Sequence, residues 1–181
     1  MIYLLQSQKV HINIIGDSLS QRSEGFYLQE KLGYGFQVND YSVSGRTTRE
    51  WIADISRPFQ ITPNIVILEI GTNDAMSMDS LEFQNNYFKL LQEIAMRTSG
   101  KIFLTKIPLT DNISLRTIIK ENNQYVGSIV GNSYYLVDLE ALFEENPYKE
   151  RLYPVNDFVH PSDWGYDIIG EAYKKEIIGL Q

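Results

Sequence analysis

Residues 65–70 read Ile-Val-Ile-Leu-Glu-Ile, an almost unbroken run of β-branched and apolar side chains. Polar and apolar positions do not alternate in this run, so it does not fit a sheet with one face in water. It predicts a central strand that is covered by helices on both faces. A central strand of this kind implies three layers, α/β/α.

Four further short apolar runs alternate with longer stretches of helical period, which is typical of parallel strands joined by crossover helices. The predicted strands are residues 10–15, 36–43, 65–70, 101–107 and 133–137. The predicted helices are residues 20–32, 48–55, 113–126 and 162–178, with another that begins after Asp79 and ends at Gly100. No repeat or low-complexity linker divides the chain, so we expect one domain over residues 1–181.

The composition limits the available chemistry. The 181 residues carry 16 Lys and Arg against 23 Asp and Glu, a net charge of -7, and no cysteine. An acidic chain without a long basic cluster lacks the positive surface that phosphate backbones require, which argues against a nucleic-acid partner. Without cysteine there are no thiol nucleophiles, thiolate-zinc sites, iron-sulfur clusters or disulfides. Because His11 and His160 are the only histidines, a multi-histidine metal site is also disfavoured.

The first nine residues do not have the pattern of a secretory leader. They contain no basic n-region, no long apolar segment and no small-residue cleavage site. No other run approaches the roughly 18 apolar residues of a transmembrane helix, so no membrane span is predicted. We therefore expect a cytoplasmic protein, an expectation that a leader removed before residue 1 would change.

The first predicted strand leads into Gly-Asp-Ser-Leu-Ser at residues 16–20. Ligands bind beyond the carboxyl ends of the strands in an open parallel sheet. Gly16 permits a tight turn there, which leaves the Ser18 hydroxyl near backbone N–H groups that can stabilise a developing anion. The other interpretation is that Asp17, Ser18 or Ser20 only caps the following helix.

Two more strands end in glycine-containing polar turns at the same edge. The second strand leads to Ser-Val-Ser-Gly-Arg-Thr-Thr at residues 42–48, and the central strand leads to Gly-Thr-Asn-Asp at residues 71–74. Gly45 would allow a substrate oxygen to approach a backbone N–H group, and the Asn73 amide is a neutral donor. Considered separately, Gly45 fits an ordinary turn glycine and Asn73 fits an Asx-type cap. The convergence of three such turns favours a functional site.

His160 lies in the sequence Asn-Asp-Phe-Val-His-Pro-Ser-Asp at residues 156–163. A carboxylate three residues before it, that of Asp157, can fold back onto one ring nitrogen and leave the other free to accept a proton from a serine. A single histidine is more often a surface or capping residue, and Asp163 is an alternative carboxylate partner. His11 lies at the opposite end of the first strand and is interpreted as structural.

These four blocks, in this order, resemble the SGNH (GDSL-type) hydrolase family across essentially the whole chain. The matching residues are 16–20, 42–45, 71–74 and 157–161. The resemblance implies a flavodoxin-like SGNH hydrolase fold, in which a five-stranded parallel sheet lies between helices. That fold agrees with the three layers that the apolar runs predict.

The resemblance also implies roles for individual residues. Ser18 corresponds to the nucleophile, His160 to the base and Asp157 to the carboxylate that orients it. The Ser18 N–H, the Gly45 N–H and the Asn73 side chain correspond to the oxyanion hole. The implied reaction is hydrolysis of a small-molecule acyl or acetyl ester through an acyl-serine intermediate, with no cofactor and no metal. The family acts on many esters, and the absence of a long apolar segment between the blocks favours short acyl chains.

One position departs from the family pattern, since Asp40 stands where an asparagine often precedes the second-block glycine. Two alternatives come from other functional classes. A catalytically inactive SGNH-fold binding module would lack Ser18, Asn73 or His160, and all three are present. A signalling receiver domain would need paired acids after the first strand and an aspartate after the third, whereas this chain has only Asp17 and a glycine-asparagine turn.

Overall fold

A parallel sheet of five strands forms the centre of the structure, a computed structural model that describes residues 9–180. The strand order is β2-β1-β3-β4-β5. The strands are β1 (Val10–Gly16), β2 (Phe36–Asp40), β3 (Ile65–Glu69), β4 (Lys101–Lys106) and β5 (Tyr135–Asp138). The predicted five-stranded parallel sheet is confirmed.

Eight α-helices connect the strands within residues 9–180. They are α1 (Ser18–Gln21), α2 (Leu28–Leu32), α3 (Thr48–Ala53), α4 (Thr72–Ser77), α5 (Ser80–Ala95), α6 (Ile113–Ile129), α7 (Leu139–Glu144) and α8 (Asp163–Ile178). Short 3₁₀ helices occur at Arg57–Phe59 and Lys149–Arg151.

The strand β3 lies in the middle of the sheet because it pairs with β1 on one side and with β4 on the other. All of its residues are buried. Ile65 and Ile67 point into one apolar core, and Val66 and Leu68 point into a second core on the opposite face. The continuous apolar run at residues 65–70 therefore reflects burial on both faces, as predicted.

Different helices cover the two faces of the sheet. Ile169 and Tyr173 of α8 pack on one face, while Trp51 of α3 and Tyr87 of α5 pack on the other, and all four side chains are fully buried. Complete burial of one large apolar side chain contributes roughly 1.5–3 kcal/mol to folding. The sheet is therefore a well-packed scaffold that positions the loops at its carboxyl edge.

The helix predicted over residues 20–32 is interrupted, and this prediction is wrong in the middle of the segment. Residues 24–27 have positive φ angles between 48° and 71°, a left-handed turn that separates α1 from α2. The cause is tertiary packing against α8. The buried ring of Phe26 lies 5.2 Å from that of Tyr173, and the carbonyl of Phe26 faces Gly170 so closely that a Cβ there would lie 2.2 Å away.

Smaller differences lie at the ends of other elements. The helix that begins after Asp79 ends at Ala95 instead of Gly100. A Cβ at Gly100 would lie 2.4 Å from the carbonyl oxygen of Asn64, so this glycine permits a close backbone approach. The predicted strands 36–43 and 133–137 become β2 and β5, and α4 and α7 were not predicted.

The prediction about a leader concerns residues 1–9, of which residues 1–8 lie outside the part that the structure describes. The prediction of one domain over residues 1–181 includes them and stays a prediction. None of the helices in the described part is long and apolar enough to cross a membrane.

Candidate active site

The segments predicted to form a site meet at the carboxyl edge of the sheet. Ser18 is the first residue of α1 after β1, Gly45 lies in the loop after β2, and Asn73 lies in α4 after β3. His160 comes from the irregular loop before α8. Residues that are 142 positions apart in sequence are thereby brought into contact.

The turn that presents Ser18 depends on Gly16. A Cβ at Gly16 would lie 2.6 Å from the Ser20 hydroxyl and 2.8 Å from the Glu69 carbonyl oxygen, so a larger residue does not fit. Asp17 caps α1, because its carboxylate accepts a hydrogen bond from the Leu19 N–H at 2.9 Å. The capping interpretation is correct for Asp17, which leaves the Ser18 hydroxyl available for another partner.

Ser18, His160 and Asp157 form one hydrogen-bonded series. The Ser18 Oγ lies 2.9 Å from His160 Nε2. The opposite ring nitrogen, Nδ1, lies 2.8 Å from Asp157 Oδ2 and 3.0 Å from Oδ1. Because an ionised carboxylate only accepts hydrogen bonds, this geometry assigns the proton to Nδ1 and leaves Nε2 as the acceptor for the Ser18 hydroxyl.

The local backbone holds Asp157 in its ionised form. Its Oδ1 accepts the N–H groups of Val159 at 3.0 Å and His160 at 2.9 Å. Partial burial opposes ionisation, but these two N–H groups and the His160 ring together lower the pKa of Asp157 to about 2. The alternative partner, Asp163, is exposed at the start of α8, and Asp167 pairs with Lys31.

Gly45 and Asn73 lie in the segments that follow β2 and β3. Gly45 has a φ of 80°, a conformation that favours glycine, and a Cβ there would meet nothing within 4 Å. The Asn73 Nδ2 donates to Asp17 Oδ2 at 3.0 Å and to the carbonyl oxygen of Arg46 at 3.1 Å. The amide therefore bridges the turn that carries Ser18 and the loop that carries Gly45.

A cleft of about 420 Å³ opens beside these two residues. Its lining combines polar side chains with two methionines: Gly45, Thr47, Arg49, Glu50, Asn73, Met76, Ser77 and Met78. A larger groove of about 540 Å³ lies between β5 and α8 and has none of the predicted site residues in its lining. The cleft of about 420 Å³ is therefore the one that predicted site residues line, namely Gly45 and Asn73.

Two buried acids, Asp17 and Glu69, lie at the carboxyl ends of β1 and β3, and the sequence did not reveal how strongly burial raises their pKa values. Burial raises the pKa of Asp17 to about 7, despite hydrogen bonds from Leu19 and Asn73 that lower it. Burial also raises the pKa of Glu69 well above its usual value, and the nearby carboxyl of Asp17 adds to this effect. In the described part of the chain, no group of three or more His, Asp or Glu side chains is arranged to hold a metal ion.

Sequence reasoning also missed two polar contacts at this edge. Arg22 Nη1 lies 3.1 Å from Asp157 Oδ2, and the four-residue spacing from Ser18 was the available signal. Asp74 Oδ1 accepts the Thr48 N–H at 3.0 Å and so joins α4 to α3. At the opposite end of β1, the His11 N–H donates to Asn64 Oδ1 at 2.8 Å, which places His11 away from Ser18.

Comparison with known families gives an extended match. The model of the GDSL-like Lipase/Acylhydrolase family matches residues 14–168 of the chain. The matched region includes every residue in the series Ser18, His160 and Asp157, as well as Gly45 and Asn73. No curated protein matches the sequence.

Solved structures with the same fold include a crystal structure of TesA, with a TM-score of 0.78, 22% identity and coverage of 94% of this chain and 99% of that chain. A lipase/acylhydrolase from Enterococcus faecalis gives a TM-score of 0.81 at 21% identity and coverage of 96% and 97%. A catalytic mutant of Axe2, an acetylxylan esterase from Geobacillus stearothermophilus, gives 0.74 at 21% identity and coverage of 94% and 96%. At these identities the similarity shows the fold.

Proposed function

Because the chain belongs to the GDSL-like lipase/acylhydrolase family, we propose that it is a serine hydrolase that cleaves carboxylic esters through an acyl-serine intermediate. One observation carries this proposal: Ser18 Oγ lies 2.9 Å from His160 Nε2 while His160 Nδ1 lies 2.8 Å from Asp157. A serine becomes a useful nucleophile at neutral pH when a base of this kind removes its proton.

In the first step, Ser18 Oγ attacks the ester carbonyl carbon and His160 Nε2 takes the hydroxyl proton. The ring then carries a positive charge, which the Asp157 carboxylate stabilises through Nδ1–H. Because the pKa of Asp157 is lowered to about 2, this carboxylate stays ionised throughout the pH range in which His160 can act as a base.

The negative charge that develops on the carbonyl oxygen requires donors that are already in position. We assign this role to the N–H groups of Ser18 and Gly45 and to the Asn73 amide. One Asn73 N–H stays on Asp17, while the other, which reaches the Arg46 carbonyl oxygen at 3.1 Å, turns to the oxyanion. Ser18 N–H lies in the first turn of α1, where backbone N–H groups have no partner within the helix.

Collapse of the tetrahedral intermediate breaks the bond to the alcohol, which leaves with the proton that His160 donates. Water then attacks the acyl-serine ester, His160 accepts a proton from that water, and the acid is released as Ser18 regains its proton. Acylation and deacylation thus use the same three side chains and the same oxyanion donors.

The substrate is a small ester whose bound part fits beside Gly45 and Asn73. The cleft there measures about 420 Å³ and has Thr47, Glu50 and Met76 among its lining residues. Its mixed polar and apolar lining favours short acyl groups over long hydrocarbon chains. A hydrolysis screen from acetyl to palmitoyl esters tests this preference, and acetylated xylan belongs in it because of the structural similarity to an acetylxylan esterase.

A fluorophosphonate probe tests the nucleophile directly. We expect a single label on Ser18, located by peptide mapping, and loss of the label in Ser18→Ala. The matched control is Ser44→Ala, which removes an exposed hydroxyl that bonds to Gln21 and leaves the series intact. A label on Ser44 or Ser133, or full labelling of Ser18→Ala, would contradict the assignment.

A burst of alcohol release from a chromogenic acetate tests turnover separately from labelling. The proposal requires continuing steady-state turnover, with a burst before it when deacylation is slower than acylation, and all alcohol release above background must disappear in Ser18→Ala. A protein that shows neither would favour the catalytically inactive binding module.

A further inference from the structure

We propose that Arg22 is a positioning residue of this site, which ties Asp157 to the helix that carries Ser18 and favours the neutral form of His160. This inference rests on the proposed function. It concerns the contact between Arg22 Nη1 and Asp157 Oδ2 at 3.1 Å, across 135 positions of sequence.

Arg22 is placed by the same short helix as the nucleophile. Its N–H donates to the Ser18 carbonyl oxygen at 3.1 Å, so it closes the last turn of α1. Side chains four residues apart lie on the same side of a helix. Ser18 and Arg22 therefore face the same loop, where Ser18 contacts His160 and Arg22 contacts Asp157.

The loop that carries Asp157 has few other connections to this part of the molecule. Asp157 N–H donates to the Pro154 carbonyl oxygen at 3.2 Å, and the Phe158 carbonyl oxygen accepts the Asn112 N–H at 3.1 Å. Neither bond fixes the loop relative to α1. The Arg22 contact adds a second connection to the one between Ser18 and His160, and it holds Asp157 itself, so Asp157 and Ser18 keep their positions on opposite sides of the His160 ring.

The Arg22 guanidinium also shares an acceptor with the His160 ring. Asp157 Oδ2 accepts from Arg22 at 3.1 Å and from His160 Nδ1 at 2.8 Å. A positive charge at this position offsets part of the carboxylate's attraction for a protonated ring. The guanidinium thus disfavours a second positive charge on the ring, and the neutral ring is the form that can accept the Ser18 proton.

Ionisable groups of the neighbouring elements lie around this pair, and Tyr166 interacts electrostatically with Arg22 and Asp157 as well as with Glu69 and Asp17. Burial raises the pKa of Tyr166 on α8, which keeps the phenol neutral, and burial raises the pKa of Glu69 well above its usual value. Asp17 has a pKa of about 7 and titrates in the working range. Asp111 and Asp163 are exposed to solvent. Substitution of Arg22 leaves all five groups in place. A difference in pH profile between the variant and the wild type therefore reports the effect of the Arg22 charge.

The test is the pH profile of kcat/KM from pH 5 to pH 9 for the wild type, Arg22→Gln and Arg22→Lys. The control is Arg97→Gln, which removes an ion pair with Glu93 on α5. The side chains of Arg22 and Asp157 are 51% and 32% exposed, so water and salt screen the interaction and the expected effect is modest.

For Arg22→Gln we expect a two- to fivefold loss of kcat/KM at pH 7, about the size of one exposed ion pair. The midpoint of the acid limb should move about 0.2–0.7 pH unit to higher pH. Arg22→Lys should return the acid limb towards the wild-type position because it keeps the charge. The difference between wild type and Arg22→Gln should shrink in 1 M NaCl.

The inference is overturned if the wild type is active and Arg22→Gln has the same kcat/KM and the same midpoint of the acid limb as Arg97→Gln. It is also overturned by a loss that is equal at every pH and that Arg22→Lys does not restore, since that result indicates a structural role. Failure of the proposed function gives a different result, because the wild type would then lack Ser18-dependent hydrolysis altogether.

Discussion

The side-chain amide of Asn73 donates a hydrogen bond to the buried carboxylate of Asp17 at 3.0 Å. Asp17 directly precedes Ser18, so the amide is fixed relative to the turn of the proposed nucleophile. The same amide reaches the carbonyl oxygen of Arg46, which directly follows Gly45. One asparagine thus connects the three groups to which we assign stabilisation of the oxyanion.

Asn73→Ala should lower kcat far more than it raises KM, because the amide acts on charge that exists only in the transition state. Loss of one oxyanion donor typically lowers the rate by about 10²–10³-fold. Steady-state kinetics on the best ester of the screen measure the effect, with Asn132→Ala in an exposed loop as the control. A kcat within about twofold of the wild-type value would mean that Asn73 has only a structural role in the turn.

Asp157→Asn should leave the fold unchanged and slow turnover by about 10–10⁴-fold, since an amide orients the His160 ring poorly or stabilises the wrong tautomer. The range is wide because Arg22 and the backbone N–H groups of the loop stay in place. Asp163→Asn is the matched control and should keep full activity, because Asp163 is exposed at the start of α8. Full activity of Asp157→Asn together with an inactive Asp163→Asn would transfer the orienting role to Asp163.

Much of the sheet is predictable from local sequence. The run at residues 65–70 has apolar side chains on both faces, and the structure buries both faces of β3. Helix α5 begins after Asp79, as predicted, because the carboxylate of Asp79 accepts the Glu82 N–H at 2.8 Å. The left-handed turn at residues 24–27 was not predictable, because its cause is the contact between Phe26 and α8.

Some residues of the site could likewise be predicted from the sequence, and others could not. Ser18, Asp157 and His160 lie in short motifs whose residue types suggest their chemistry, and the structure places them in contact. Arg22 lies in no motif, and its contact with Asp157 joins segments that only the fold brings together. The burial of Glu69 was implied by its place within an apolar strand, but its effect on ionisation depends on neighbours from other strands.

The close packing of α8 on the turn at residues 24–27 gives a prediction for stability. Gly170→Ala should lower the thermal midpoint, because the added methyl group would lie 2.2 Å from the Phe26 carbonyl oxygen and the backbone must shift. Overpacking of this kind costs about 1–3 kcal/mol. Thermal unfolding by circular dichroism measures it. The control is Gly131→Ala, where a Cβ meets nothing within 4 Å, and equal midpoints for the two variants would contradict the packing.

The buried acids give the molecule a defined dependence of stability on pH. Burial raises the pKa of Asp17 from 3.8 to about 7, and that of Glu69 well above 4.5. The folded state therefore binds these protons more tightly than the unfolded chain does. Their contribution to stability is complete below pH 4 and is lost as the pH rises through the raised pKa values. Asp157, with a pKa of about 2, acts in the opposite direction and only in acid.

Glu69→Gln should remove part of this dependence. Glu69 is fully buried, and its carboxyl lies near the Asp17 backbone N–H without a well-formed hydrogen bond, so a glutamine of nearly equal shape can keep its oxygen towards the same N–H. In the wild type, ionisation of Glu69 opposes folding as the pH rises, whereas the glutamine stays neutral. Between pH 5 and pH 8, the thermal midpoint of the variant should therefore fall less than that of the wild type. The difference should be about 2–4 °C for each kcal/mol of destabilisation that the glutamine avoids.

The control is Glu176→Gln, which changes an exposed carboxylate and should give a curve parallel to that of the wild type. A Glu69→Gln curve that is also parallel to the wild type would mean that Glu69 ionises in the fold as readily as it does in water.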